Sequence, residues 1–186
     1  EEAEAATRKL LSTNPRSADA HALLGVILDQ RGQPGEAEKE YDAALRLQPK
    51  LVSALSNLGV LLAKTNRTTE AIAKFEEVLR IDPKHERAIF NLGALYAARG
   101  DYKRAVPLLE KSAGAPALFT LGLKLAEAQE YAEAVRLFQR TNELRPQTYE
   151  VLYNLGIALY NLDRLDEAKQ AISSASALKP GEADPY

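Results

Sequence analysis

The chain has 186 residues, of which 46% are hydrophobic and 27% charged, a composition typical of a folded protein that forms either one domain or an extended array. The net charge is −2 with both signs interspersed, which argues against nucleic acid as the main partner, because phosphate binding needs a concentrated basic surface. Cysteine is absent, which excludes disulfides, cysteine metal sites and cysteine nucleophiles and leaves the compartment open, with the cytoplasm favoured.

The sequence is expected to contain neither a membrane span nor an N-terminal signal peptide. No apolar run approaches the roughly 18 residues of a membrane span, so no membrane partner is expected. The opening "EEAEAATRKL" has no signal-peptide pattern and no initiator methionine. We therefore expect a piece of a longer chain.

The first predicted element is a helix within residues 1–17. Its apolar positions Ala3, Thr7 and Leu10, closed by Pro15, match those of helices later in the chain. Five periods follow, each marked by a Leu-Gly pair whose glycines are spaced 34, 34, 29 and 34 residues apart. These glycines are Gly25, Gly59, Gly93, Gly122 and Gly156. Such a fixed period is the mark of a repeat architecture.

Each period predicts two helices. Alanine stands 12 residues after every glycine, and a large apolar residue stands four residues further on. A polar break such as "DQRGQPGE" separates the two apolar-periodic segments, and a proline follows the second segment in all periods but one. The glycine and alanine predict a bare surface where the two helices approach closely. No alternating strand pattern is found.

This pattern resembles the tetratricopeptide repeat family, whose 34-residue helix–turn–helix units carry Leu-Gly, Ala, an aromatic residue and Pro at these offsets. The resemblance implies an all-α solenoid of antiparallel helix pairs wound into a right-handed superhelix. It places a truncated second helix in residues 1–17 and the start of a further repeat in 183–186. The repeats between them are expected at 18–51, 52–85, 86–114, 115–148 and 149–182.

The third repeat is five residues short. Its glycine-to-alanine interval is normal, so the missing residues belong to the end of its second helix and the following corner, "KSAGAPALF". The repeat has either a true deletion or a stretch absent from the sequence as read. We favour the second interpretation, which predicts an interruption of the backbone near Gly114 and Ala115.

A polar stripe on the first helix of each repeat predicts a binding groove. Asn57, Asn91 and Asn154 stand at one offset, on the side opposite the core leucines. Amide side chains offer a donor and an acceptor, so a row of them can hydrogen-bond the backbone of an extended peptide. This row is similar to the asparagine ladder in the repeats of O-linked N-acetylglucosamine transferase. Alternatively, asparagine is merely tolerated there beside solvent.

Aromatic and charged residues extend the predicted groove. Aromatic residues share one offset in three successive repeats, where they serve either as peptide anchors or as contacts between neighbouring first helices. His21 replaces a bulky apolar residue and is interpreted as a half-buried packing residue. Besides the three asparagines, the candidate groove residues are Lys64, Arg87, Phe90, Phe119, Tyr153, Tyr160 and Asn161.

The leading functional hypothesis is a non-catalytic scaffold that binds a protein or an extended peptide. The alternatives are a self-assembly module, in which exposed repeat ends stack into homo-oligomers, and the targeting region of a larger enzyme. Catalysis is disfavoured, because the sequence has no phosphate-binding glycine-rich loop and only two scattered histidines. No cofactor, metal or catalytic residue is expected.

Overall fold

The computed structural model describes residues 1–179, which form eleven α-helices and no strand. Below, α2, α4, α6, α8 and α10 are called first helices, and the odd-numbered helices are called second helices. The helices are α1 (Glu2–Thr13), α2 (Ala18–Gln30), α3 (Pro34–Leu47), α4 (Val52–Lys64), α5 (Thr68–Ile81), α6 (Glu86–Ala98), α7 (Tyr102–Ser112), α8 (Ala115–Glu127), α9 (Tyr131–Leu144), α10 (Tyr149–Asn161) and α11 (Leu165–Leu178).

Helices pair because a glycine on each first helix admits a large side chain of the following second helix. A Cβ added to Gly25 would lie 2.7 Å from the ring of Tyr41, and one added to Gly122 would lie 2.6 Å from the ring of Phe138. Both rings are almost fully buried. The same relation joins Gly59 to Phe75 and Gly156 to Ile172. The close approach predicted from the glycine spacing is therefore present in these four pairs.

The turn inside each pair has three residues, and its middle residue adopts a left-handed conformation. The residue after it donates its N–H to a carbonyl five positions back, as Gln33 does to Leu28 over 3.0 Å, which closes the helix in a Schellman-type arrangement. Glycine suits this conformation best, since other residues bring Cβ close to the following carbonyl. The left-handed residues are Gly32, Asn66, Gly100, Gln129 and Asp163.

The chain divides into two compact units, Glu1–Leu95 and a second unit that begins at Tyr96, so the division falls inside α6. In the first unit, α1 packs on α2, and α4 packs on both α3 and α2. In the second unit, α10 packs mainly on α9 and less on α8. Each unit is thus a stack of helix pairs with its core of leucine, alanine and aromatic side chains between the helices.

The favoured interpretation of the short repeat is wrong, because the backbone is continuous at the expected interruption. The carbonyl of Gly114 accepts hydrogen bonds from the N–H groups of Ala117 and Leu118, both over 3.1 Å, and starts α8. Helix α7 has 11 residues where α3, α5 and α9 have 14. Two residues instead of four then link it to the next helix. The three residues lost from the helix and the two lost from the corner account for all five residues by which the third repeat is short.

Arginines of α9 cover the shortened end of α7. Arg140 Nε donates to the backbone carbonyl of Glu110 over 3.4 Å, and Arg136 Nη2 pairs with the Glu110 carboxylate over 2.6 Å. Carbonyls in the last turn of a helix have no partner within the helix, and cations there interact favourably with the helix dipole. Helix α7 accordingly contacts α9 directly as well as α8.

Helices α1 and α2, at the start of the array, carry a buried threonine and a half-buried histidine. The Thr7 side chain of α1 is buried, whereas Leu10 is 49% exposed. His21 is half-buried, as predicted, and its ring nitrogens contact the Glu40 carboxylate at 2.6 Å and the Pro15 carbonyl at 3.2 Å. The predicted closing Pro180 and the repeat start at 183–186 lie outside the described residues.

Candidate functional site

The first compact unit carries polar side chains on its first helices where the sequence predicts a groove. Asn57 and Asn91 are half-buried, and Lys64 and Arg87 are exposed. Arg87 Nη1 donates to Asn57 Oδ1 over 3.4 Å, and Lys64 Nζ donates to the Asp29 carboxylate over 2.8 Å. These bonds link α6 to α4 and α4 to α2. They therefore make one continuous polar surface across the three helices.

Two apolar side chains interrupt this surface. Leu23 is 51% exposed and Phe90 is 40% exposed. Leu23 takes the offset that Asn57 takes in the next repeat, so the asparagine row does not extend to α2. Helical spacing also predicts Ser56 on this stripe, at the offset of Phe90, but that prediction is wrong because Ser56 is only 3% exposed. A short side chain at that offset does not reach the surface.

Charged residues of this surface act on a tyrosine in the core behind it. Burial raises the pKa of Tyr41 to about 12, and the negative charge of Asp29 acts in the same direction. The positive charge of Arg87 opposes both effects. Tyr41 is therefore a protonated packing residue at neutral pH, with no free hydroxyl at the surface.

In the second unit, Phe119 is partly a packing residue. Its side chain is half-buried, and its ring lies 5.8 Å from the Phe138 ring at an interplanar angle of 53°. The sequence offered a groove anchor or a contact between first helices, and the observed contact is instead with the second helix of the same pair. Thr120, which replaces asparagine here, donates its hydroxyl to the Pro116 carbonyl over 3.0 Å.

Helix α10 carries the largest group of exposed candidate residues. Tyr153 is 37% exposed and stacks on Tyr149 with the ring centroids 5.7 Å apart. Tyr160 is 68% exposed. The amide nitrogens of Asn154 and Asn161 donate to carbonyls one turn earlier in the helix, over 2.7 and 2.9 Å. Each of these asparagines uses one amide hydrogen inside the helix and presents its amide oxygen as an acceptor.

Ile157 stands on the predicted stripe and is 40% exposed between Tyr153 and Tyr160, so the three form an apolar stripe at helical spacing. Two residues near this stripe, Tyr149 and Arg145, were not predicted from the sequence. Tyr149 belongs to it through its stacking on Tyr153, and a one-turn spacing between the two tyrosines was the available signal. Arg145 had no sequence signal, because it lies in a corner and outside any helical pattern.

Within residues 1–179, no group of three or more histidine, aspartate or glutamate side chains could hold a metal ion. None of the helices described is both long and apolar enough to cross a membrane. What the described surface does offer is amide, aromatic and charged groups for reversible contacts.

Solved structures with the same fold include several repeat proteins. YrrB, a TPR protein with an unusual peptide-binding site, is 22% identical with a TM-score of 0.70, covering 95% of this chain and 94% of its own. MamA is 20% identical with a TM-score of 0.65, covering 89% and 93%. PilF of Pseudomonas aeruginosa is 25% identical with a TM-score of 0.62, covering 95% and 82%. No curated protein matches the chain.

Two family models match most of the sequence, and both describe the tetratricopeptide repeat. One matches residues 1–51 and 28–86. The other matches residues 62–115 and 125–186, so the segment it leaves out directly follows the short corner. The helix pairs, the Leu-Gly and Ala spacing and these matches agree, and the chain belongs to the tetratricopeptide repeat family.

Proposed function

We propose that this chain is a non-catalytic scaffold that binds an extended segment of another protein along its first helices. The repeat boundaries given by the sequence, from 18–51 to 149–182, belong to the same proposal. YrrB, which has a peptide-binding site, shares the fold over nearly the whole chain and supports this class of function.

The distribution of exposed apolar side chains carries the proposal. Among residues 1–179, second helices α3 to α11 expose large apolar side chains only at their ends, such as Leu47, Ile81 and Leu144. First helices expose them in mid-helix and, at Tyr160, in the last turn, on the predicted groove side or at its border. Exposed apolar groups beside polar ones are typical of interaction surfaces. The first-helix residues are Leu23, Phe90, Tyr153, Ile157 and Tyr160.

In this proposal, the amide groups bind the peptide backbone and the aromatic groups contact the peptide side chains. Asn57, Asn91 and Asn154 are half-buried, so their side chains are held in place yet reachable. They would pair with the backbone N–H and C=O groups of an extended peptide, which otherwise lose their water partners. The aromatic rings would cover its side chains with little loss of rotamer freedom. Affinity would then depend weakly on peptide sequence.

A peptide-array screen followed by affinity measurement tests this proposal. Peptides captured by the purified protein are measured by fluorescence anisotropy against the wild type and the double variant Asn57→Ala, Asn91→Ala. We expect the variant to bind about tenfold or more weakly, since each lost hydrogen bond contributes roughly 1 kcal/mol. Its melting temperature should be unchanged or slightly higher, because alanine favours helices.

The matched control is Gln139→Ala, which removes an exposed amide from second helix α9. It should leave peptide affinity unchanged. An array without binders, or a double variant that binds as tightly as the wild type, would contradict the proposed groove.

Self-assembly is a second candidate, favoured by the outer face of the last helix pair. A cavity of about 540 Å³ lies between α10 and α11, lined in part by Tyr160, Leu165 and Ile172. On the preceding pair, α10 covers the equivalent face, and Val135 and Phe138 are 2% and 0% exposed. Leu165 is instead 53% exposed. A second copy of the chain is the proposed occupant.

Sedimentation velocity decides between these roles. If copies associate through this face, the wild type should form concentration-dependent oligomers and Leu165→Glu should remain monomeric. Leu47→Glu, at the exposed end of α3, is the control and should oligomerise as the wild type does. A wild type that stays monomeric at high concentration would exclude self-assembly and leave the peptide-binding proposal intact.

A further inference from the structure

A second cavity opens where the N-terminal turns of α8 and α10 meet the end of α9. Its volume is about 260 Å³, below the roughly 300–1,000 Å³ of sites that hold a small-molecule ligand. One amino-acid side chain is the more suitable occupant. The lining residues are Ala115, Pro116, Phe119, Thr120, Thr141, Arg145, Thr148, Glu150 and Val151.

The cavity is apolar even though three threonines line it. Thr141 donates its hydroxyl to the Leu137 carbonyl over 2.7 Å, and Thr120 and Thr148 donate theirs to the carbonyls of Pro116 and Arg145 over 3.0 and 3.2 Å. Their hydroxyl hydrogens are therefore not available to a ligand. Apart from Arg145 and Glu150, the other walls are alanine, proline, valine and the Phe119 ring. An apolar side chain loses no hydrogen bond on entering such a site.

The charge at the cavity is carried by Arg145. Glu150 also lines it, but its carboxylate is already bonded. The pKa of Glu150 is lowered first by a hydrogen bond from its own backbone N–H and second by Lys179, whose Nζ lies 3.3 Å away. Arg145 is exposed and forms no ion pair within residues 1–179. A ligand carboxylate would thus find an arginine that has no ion-pair partner among the described residues.

We propose that this cavity is a specificity pocket, which takes one apolar side chain of the bound peptide while Arg145 pairs with an acidic residue close to it in the peptide sequence. The inference rests on the proposed peptide-binding function. It adds the sequence preference that the asparagine row cannot supply, since amides that read the peptide backbone do not distinguish side chains. Thr120 and Phe119 join the pocket to the first-helix surface of α8, so one peptide reaches both.

Selection from a phage-displayed library of random 12-residue peptides tests the pocket. The wild type should enrich sequences in which leucine, isoleucine, methionine or phenylalanine stands within a few positions of aspartate or glutamate. Thr120→Phe places a ring at the pocket wall from an exposed position and should abolish the apolar preference. Arg145→Glu should abolish the acidic preference and weaken binding of a wild-type-selected peptide roughly tenfold.

The control is Arg16→Glu, which reverses an exposed arginine in the corner between α1 and α2 and should enrich the same sequences as the wild type. Circular dichroism confirms that all variants are helical. If the wild type enriches peptides with no shared apolar or acidic position, or if Thr120→Phe and Arg145→Glu enrich the wild-type sequences, the pocket is refuted and the scaffold function stands. If the wild type enriches no peptide, both proposals fail.

Discussion

Replacing Gly122 by alanine should destabilise the protein, although alanine favours helices more than glycine does. The gain in helix propensity is about 1 kcal/mol. Against it, the new Cβ would lie 2.6 Å from Cε1 and 2.9 Å from Cδ1 of the fully buried Phe138 ring, distances that force the helices apart. Overpacking of this kind costs about 1–3 kcal/mol. We expect a net loss of up to about 2 kcal/mol.

Gly35→Ala is the matched control, because a Cβ at that position of α3 meets no atom within 4 Å. It should raise the free energy of unfolding by about 0.5 kcal/mol. Thermal unfolding followed by circular dichroism measures both changes. At about 2–4 °C per kcal/mol for a chain of this length, Gly122→Ala should melt several degrees below the wild type and Gly35→Ala slightly above it.

A double-mutant cycle identifies the cause. Shortening the ring residue with Phe138→Leu should make Gly122→Ala much less damaging, with a coupling energy of about 1 kcal/mol or more. If Gly122→Ala stabilises the protein as much as Gly35→Ala does, close helix approach is not the reason for the repeated glycine. If the two changes at 122 and 138 are additive, the cost arises elsewhere.

Three further predictions follow from single residues. Gly100→Ala should cost about 1–2 kcal/mol by denaturant unfolding, because φ is +74° there and alanine is strained in that conformation. The contribution of Tyr41 to stability should be fully present below pH 10 and be lost as the pH rises from 10 to 12, because only the unfolded chain ionises Tyr41 in that range. Tyr41→Phe should remove that alkaline loss in a pH series of urea unfolding curves. Tyr160→Ala should weaken peptide binding at unchanged melting temperature, since this side chain is 68% exposed.

The fold was predictable because the same spacing of residues recurs in five successive repeats. Leu-Gly, alanine and an aromatic residue each mark a contact that recurs, and Gly25 meets Tyr41 as Gly122 meets Phe138. The position of the short corner was predicted correctly, but its favoured interpretation, a stretch absent from the sequence, was wrong. Helix α7 stops early at Ser112, and the sequence does not show that Arg140 would reach the Glu110 carbonyl near its end.

The sequence predicted which face of each first helix carries the candidate residues, but it did not predict the contacts that their side chains make. Helical spacing placed Asn57, Asn91 and Asn154 away from the core leucines, where they are half-buried. It could not show which side chains meet across helices, so the bond from Arg87 to Asn57 was not foreseen. The cavity beside Arg145 depends on residues 115–120 meeting residues 141–151, and no periodic pattern reports such a meeting.

Amide chemical shifts recorded during titration with a peptide selected from the library test the central claim most directly. If the first helices form the binding surface, the largest changes should lie on α4, α6, α8 and α10, around Asn57, Asn91 and Asn154 and beside the Phe119 ring. Residues in the middle of second helices α3, α5 and α9 should change little. Shifts concentrated on those second helices, with the asparagine amides unmoved, would contradict the claim.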